Sequence, residues 1–76
     1  MSGASYGQLE ALLRRRGFTR THAGLHSVWA NIDASGAARR VIVCNKPLRP
    51  IPPQVLHRIA AQIGMSEEDL RRELAP

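Results

Sequence analysis

The sequence predicts one two-layer α+β domain: a helix, three short antiparallel strands, a second helix and a short extra C-terminal helix. The helices should all lie on one face of the sheet. Three observations predict this. Apolar residues recur at three-four spacing in two stretches, one ending at Arg16 and one ending at Ile63. Between those stretches lie three β-prone runs separated by turn residues. Finally, the chain has 76 residues of which 43% are apolar, many of them alanine, which fills one core but not two. Residues 1–76 therefore form a single domain. Dinucleotide folds and barrel enzymes are excluded by size.

The elements follow in order. Ser5 is a good N-cap, and Tyr6, Leu9, Leu12, Leu13 and Arg16 draw one stripe behind it. Gly17 stands where a left-handed residue stops a helix, with Arg14, Arg15 and Arg16 complementing the dipole in the last turn. Phe18 to Thr21 reads as the first strand, Thr19 and Thr21 alternating against Phe18 and Arg20. Ala23-Gly24 marks a turn, and His26 to Ile32 is the second strand. Asp33-Ala34-Ser35-Gly36 has hairpin chemistry and leads into a third strand, Ala38 to Cys44.

Pro47, Pro50, Pro52 and Pro53 exclude helix and central strand from the next segment, which must be a stiff connector. Pro52 and Pro53 fall where a helix can begin; Val55, Leu56, Ile59, Ala60 and Ile63 form its stripe, and Gly64 closes it. Ser66 caps the last helix, Glu67, Glu68 and Asp69 lie near its start, and Leu70 and Leu74 can dock on the core. The second face of the sheet is left open.

Charge narrows the partners. Eleven basic residues oppose six acidic ones, for a net +5, and Lys46 is the only lysine. Residues 1–66 hold nine basic and two acidic groups, a net +7, and the remaining tail is mildly acidic. Arginine offers a planar fork that matches phosphate oxygens, so nucleic acid is the first partner to consider and an acidic protein the second. Arg14, Arg15, Arg16, Arg20, Arg39, Arg40 and Lys46 are the candidate phosphate contacts, on the expectation that several share one patch. No apolar run reaches membrane-spanning length and no signal pattern opens the chain, so a cytoplasmic protein with no membrane partner is expected.

The inventory for catalysis is thin. There is no paired-carboxylate constellation and no Cys/His spacing for a metal, so neither metal nor cofactor is expected. Histidine is the best carrier of proton transfer because imidazole titrates near neutrality. His26 opens the second strand directly after a glycine turn, where a large substrate can reach it. Its face depends on the strand's alternation. Counting apolar residues puts His26, Val28, Ala30 and Ile32 inward; burying the only tryptophan, Trp29, puts His26 on the open side, and the second choice buries more. His22 could approach His26 across the turn or be solvated, His57 reads as helix surface, and Cys44 as a small apolar residue.

Several of these runs together resemble one family. The helix ending Arg14-Arg15-Arg16-Gly17-Phe18, then Gly24-Leu25-His26-Ser27-Val28-Trp29, then Val41-Ile42-Val43, then the helix ending Ile59-Ala60-Ala61-Gln62-Ile63-Gly64-Met65-Ser66 resemble the HicA toxins of HicA–HicB toxin–antitoxin modules. The resemblance spans residues 6–70. It implies a double-stranded-RNA-binding-domain-like fold and a type II toxin that arrests translation by cutting messenger RNA without a metal. It also implies that His26 is the single catalytic histidine and that a HicB-like antitoxin covers the site. The chain departs from the family at Leu25, where serine is usual, at Ser27, where a second histidine is frequent, and at Cys44-Asn45-Lys46. The alternatives are a non-catalytic RNA-binding module and an interaction subunit of an acidic protein.

Overall fold

The computed structural model describes residues 4–32 and 35–74. In chain order they form α1 (Tyr6–Arg15), β1 (Thr19–Ala23), β2 (His26–Ile32), β3 (Ala38–Cys44), α2 (Pro53–Ile63) and α3 (Glu67–Leu74). The strands make one antiparallel sheet in the order β1-β2-β3. This is the expected α+β order. Asp33 and Ala34 of the expected hairpin loop lie outside the described residues.

The N-terminal N–H groups of α1 all have partners, and most of its last carbonyls do too. Ser5 Oγ accepts from the Gln8 N–H at 3.3 Å, and Gln8 Oε1 accepts from the Ser5 N–H at 2.7 Å, a reciprocal capping box. The Tyr6 and Gly7 N–H groups, which a helix cannot satisfy internally, donate to the carbonyls of Arg49 and Pro47 in the proline-rich connector at 3.0 and 2.9 Å. At the other end Gly17 takes φ 87°. The Phe18 N–H returns to the Leu13 carbonyl and the Gly17 N–H to that of Arg14, which together satisfy two terminal carbonyls. Phe18 is therefore part of the helix stop rather than the first strand residue, and β1 runs on through His22 and Ala23 instead of ending at Thr21.

The core lies between the helices and one sheet face. Leu9, Leu12 and Leu13 of α1, Leu56, Ile59 and Ile63 of α2, and Leu70 and Leu74 of α3 are all buried. They pack with Trp29, Val41 and Val43, whose alternation marks the covered face of β2 and β3. Trp29 is 1% exposed and its Nε1–H donates to the buried Ser27 Oγ at 3.1 Å. Burying tryptophan thus sends His26 to the open face. Glu10 is also buried, and its Oε2 has no partner among the described residues; nothing in the structure accounts for it.

Two features carry testable consequences. A side-chain carbon on Gly7 would lie 3.1 Å from the Pro47 carbonyl oxygen and 3.3 Å from Pro47 Cβ. Gly7→Val should push the connector off α1 and destabilise the protein by about 1–3 kcal/mol in urea unfolding. Arg16 binds Glu73 through two hydrogen bonds, of 3.3 and 2.6 Å, tying the end of α1 to α3. The hydrogen bond from Arg16 is the main reason that the Glu73 carboxyl sits below its ordinary pKa. A depressed carboxyl stabilises the fold above the ordinary glutamate range, and that stabilisation is lost as pH falls through the depressed value. Glu73→Gln should lower the urea midpoint at neutral pH, and the variant and parent should converge in acid.

Candidate functional site

The open face of the sheet is assembled by register. His26 pairs with Cys44, Val28 with Ile42, and Ala30 with Arg40. On the other side of β2, Thr19 pairs with Ala30 and Arg20 with Trp29, but His22 pairs with Val28. The register shift between Arg20 and His22 leaves Thr21 as an extra residue, with its Oγ1 donating to the Val28 carbonyl at 3.3 Å. Without that bulge, Arg20 and His22 would share a face. With it, Arg20 faces the core side with Trp29, and His22 joins His26 on the open side. Both histidines are exposed. They stand diagonally across the β1–β2 pair, a relation that separates residues by about 7–8 Å.

The turn that presents His26 is held from β3. The Asn45 side chain donates to the Gly24 carbonyl at 2.9 Å, the Asn45 N–H donates to the Leu25 carbonyl, and the Gly24 N–H donates to the His26 carbonyl. Leu25 itself is 87% exposed, so its side chain projects into solvent beside His26 while its carbonyl helps to hold the turn.

His26 lines a groove of about 550 Å³ with Tyr6, Arg49, Arg58 and Gln62 among its other walls. This size falls within the range of small-ligand pockets. No acidic residue lines it. Among the described residues neither Arg49 nor Arg58 makes an ion pair. Burial raises the Tyr6 phenol above its ordinary pKa and nearby Cys44 adds to this, while the Arg58 and Arg49 guanidiniums act against it. Gln62 accepts from the Ile42 N–H on the free edge of β3 at 3.3 Å, which fixes its amide.

The expected arginine patch is not where His26 is. Asn31 Nδ2 donates to the Arg16 carbonyl, so α1 ends near the hairpin end of β2, opposite the end that carries His26. Several of the candidates gather there, with different neighbours. Arg14 and Arg20 lie 5.1 and 5.9 Å from the centre of the Trp29 ring, within cation–π range. Arg16 is occupied by Glu73, with Arg15 also close enough to lower that carboxyl. Arg39 lies against Gly64, where an added side-chain carbon would sit 2.6 Å from its Cζ. Arg40 is on the open face opposite Ala30, and Lys46 is exposed just past β3.

Arg49 and Arg58, the two arginines beside His26, were absent from the sequence-derived set. Arg58 could have been found from spacing, because Val55, Arg58 and Gln62 form a line flanking the apolar stripe of α2. Arg49 carries no such signal, since its place depends on the connector docking against α1.

The remaining candidates are elsewhere or structural. His57 Nδ1 lies 3.0 Å from Glu67 Oε1 on the helical side, and Cys44 packs half-buried against the core. No group of three or more His, Cys, Asp or Glu that could hold a metal occurs among the described residues, and no described helix is long and apolar enough to cross a membrane. Comparison with protein-family models, with curated proteins and with solved structures returns no match.

Asn45→Ala removes one hydrogen bond from the turn and should destabilise it by about 1 kcal/mol. Amide hydrogen exchange at Gly24 should accelerate while exchange in α2 stays at the parent rate.

Proposed function

We propose that this chain is an endoribonuclease that cuts messenger RNA in the cytoplasm without a metal, with His26 as the proton-transferring residue. One observation carries the reading: an exposed histidine at the end of the open sheet face shares a groove with two arginines that have no acidic partner among the described residues. RNA supplies its own nucleophile, so cleavage needs proton transfer and neutralisation of the phosphate, and little else. In the reaction the 2′-oxygen bonds to phosphorus while its proton passes to an imidazole. The bond to the 5′-oxygen breaks, and that oxygen takes up a proton. The products are a 2′,3′-cyclic phosphate and a 5′-hydroxyl. His26 takes or returns the proton, and His22, on the same face, is the nearest second imidazole along the sheet.

The resemblance to HicA toxins supplies the setting, a type II toxin held inactive by a HicB-like antitoxin. An acidic antitoxin surface would compete with RNA for the groove and the open face. A non-catalytic RNA-binding module is the second reading. The Arg14–Trp29–Arg20 cluster favours it, because it offers two positioned guanidiniums on the covered side of the sheet, away from the face that carries His22 and His26.

Cleavage of end-labelled RNA in the presence of a chelator tests the proposal. His26→Ala should reduce the rate constant by about 10²–10⁴. A single 2′-deoxy substitution at the cut site should block cleavage there. Equal rates for parent and His26→Ala, or cutting at the 2′-deoxy site, would remove His26 chemistry. Salt-sensitive binding with no cleavage would leave the binding module as the better reading.

A further inference from the structure

We propose that the groove between α1, β3, the connector and α2 is a seat for a single phosphate group, with the Tyr6 hydroxyl as its central donor flanked by Arg49 and Arg58. Tyr6 is only 4% exposed, and among the described residues its hydroxyl has no hydrogen-bond partner; the hydroxyl itself keeps access to solvent where Tyr6 lines the groove. The ring is buried while its polar tip stays free to pair with a ligand or with water. Beside the apolar Ile42, Val43 and Val55 and the Cys44 thiol, the groove carries polar groups suited to an anion. Arg49 and Arg58 line the same groove as the phenol, and their charges oppose the upward effect of burial on it. Gln62 uses its oxygen on the Ile42 N–H, so its amide N–H groups remain as donors. His26 completes the lining, and no carboxylate competes.

The donors are also held in place. Tyr6 is the first residue of α1, anchored by its own N–H to the Arg49 carbonyl, so one hydrogen bond sets both the phenol and the arginine beside it. Arg58 projects from α2, and Gln62, one turn further along, is pinned to the β3 edge. A neutral apolar ligand would leave two guanidiniums and a hydroxyl unpaired. A phosphate satisfies them with charge-assisted bonds. The assignment rests on the nucleic-acid reading above for its biological ligand, and on the donor set alone for its chemistry. The phosphate could be a backbone diester or a terminal monoester.

The experiment is titration of the ¹⁵N-labelled protein with three probes: inorganic phosphate, adenosine 3′-monophosphate and a 2′-deoxy dinucleoside monophosphate that cannot be cleaved through a 2′-hydroxyl. Saturable shifts at the Ile42 amide and the Gln62 side-chain amide are expected. Tyr6→Phe should weaken binding of the preferred probe about tenfold, and Arg58→Gln by at least as much. Tyr6→Phe removes a hydroxyl with no internal partner, so its urea midpoint should match the parent's and loss of binding cannot be ascribed to unfolding. Preference for the dinucleotide assigns the seat to backbone diester, and preference for the monophosphate to a terminal phosphate. Unchanged affinity in both variants, or shifts confined to Trp29 and its arginines, would overturn the assignment. Phosphate binding by a parent protein that cuts no RNA keeps the seat and discards the ribonuclease. Cleavage by a parent that binds no probe in the groove does the reverse.

Discussion

The structure depends on the docking of the proline-rich connector against the first turn of α1. That turn begins with N–H groups that no helix can satisfy, and the connector brings the Pro47 and Arg49 carbonyls to two of them. Proline suits such a segment because it stiffens the chain without demanding sheet or helix partners. The Ile51 N–H bonds to the Ala4 carbonyl, Ser5 and Pro50 form a bridge, and Ile51 is buried in the core. These contacts hold α1 and the start of α2 close together over β3. They also bring Tyr6, Arg49 and Arg58 to one groove, so packing and the candidate site share a cause.

Much of the fold could be read from the residues because local chemistry and burial agree. Ser5 caps, Gly17 stops and the two apolar stripes gave the helices with nearly their observed bounds. The face of β2 followed from the large burial that Trp29 contributes, and this placed His26 in the open. Reading failed where a position depends on pairing rather than on the residue. Alternation along β1 puts Arg20 and His22 together, and only the register against β2 reveals the extra residue that parts them. Phe18 looked like a strand residue because it is aromatic and apolar; its N–H belongs instead to the stop of α1.

The basic charge resolves into two regions with different character. At the hairpin end four arginines are engaged: Arg14 and Arg20 with Trp29, Arg16 with Glu73, and Arg39 against Gly64, while Arg40 stands on the open face. Stacking and ion pairing there stiffen the junction of α1 with the sheet and with α3. Exposed ion pairs contribute little individually, so their effect is more to fix orientation than to raise stability. At the other end Arg49 and Arg58 have no such engagement among the described residues, and their charge is available to a ligand. A cluster of arginines in the sequence pointed to the first region, and the second arises from two single arginines separated by a turn of prolines.

The bridge between Ser5 and Pro50 also sets an order of events. Its partners lie on either side of the whole sheet in sequence, so the contact closes only after a long stretch of chain is in hand. A nascent chain that has completed β1 and β2 already carries both histidines but not the connector, α2 or either of their arginines. Local fraying of residues 4–7 in the finished protein would likewise separate Tyr6 from Arg49 while the strand pairing stays intact. Competence at the groove is therefore conditional on complete folding, and a partly folded copy displays its imidazoles without the means to hold an anion beside them.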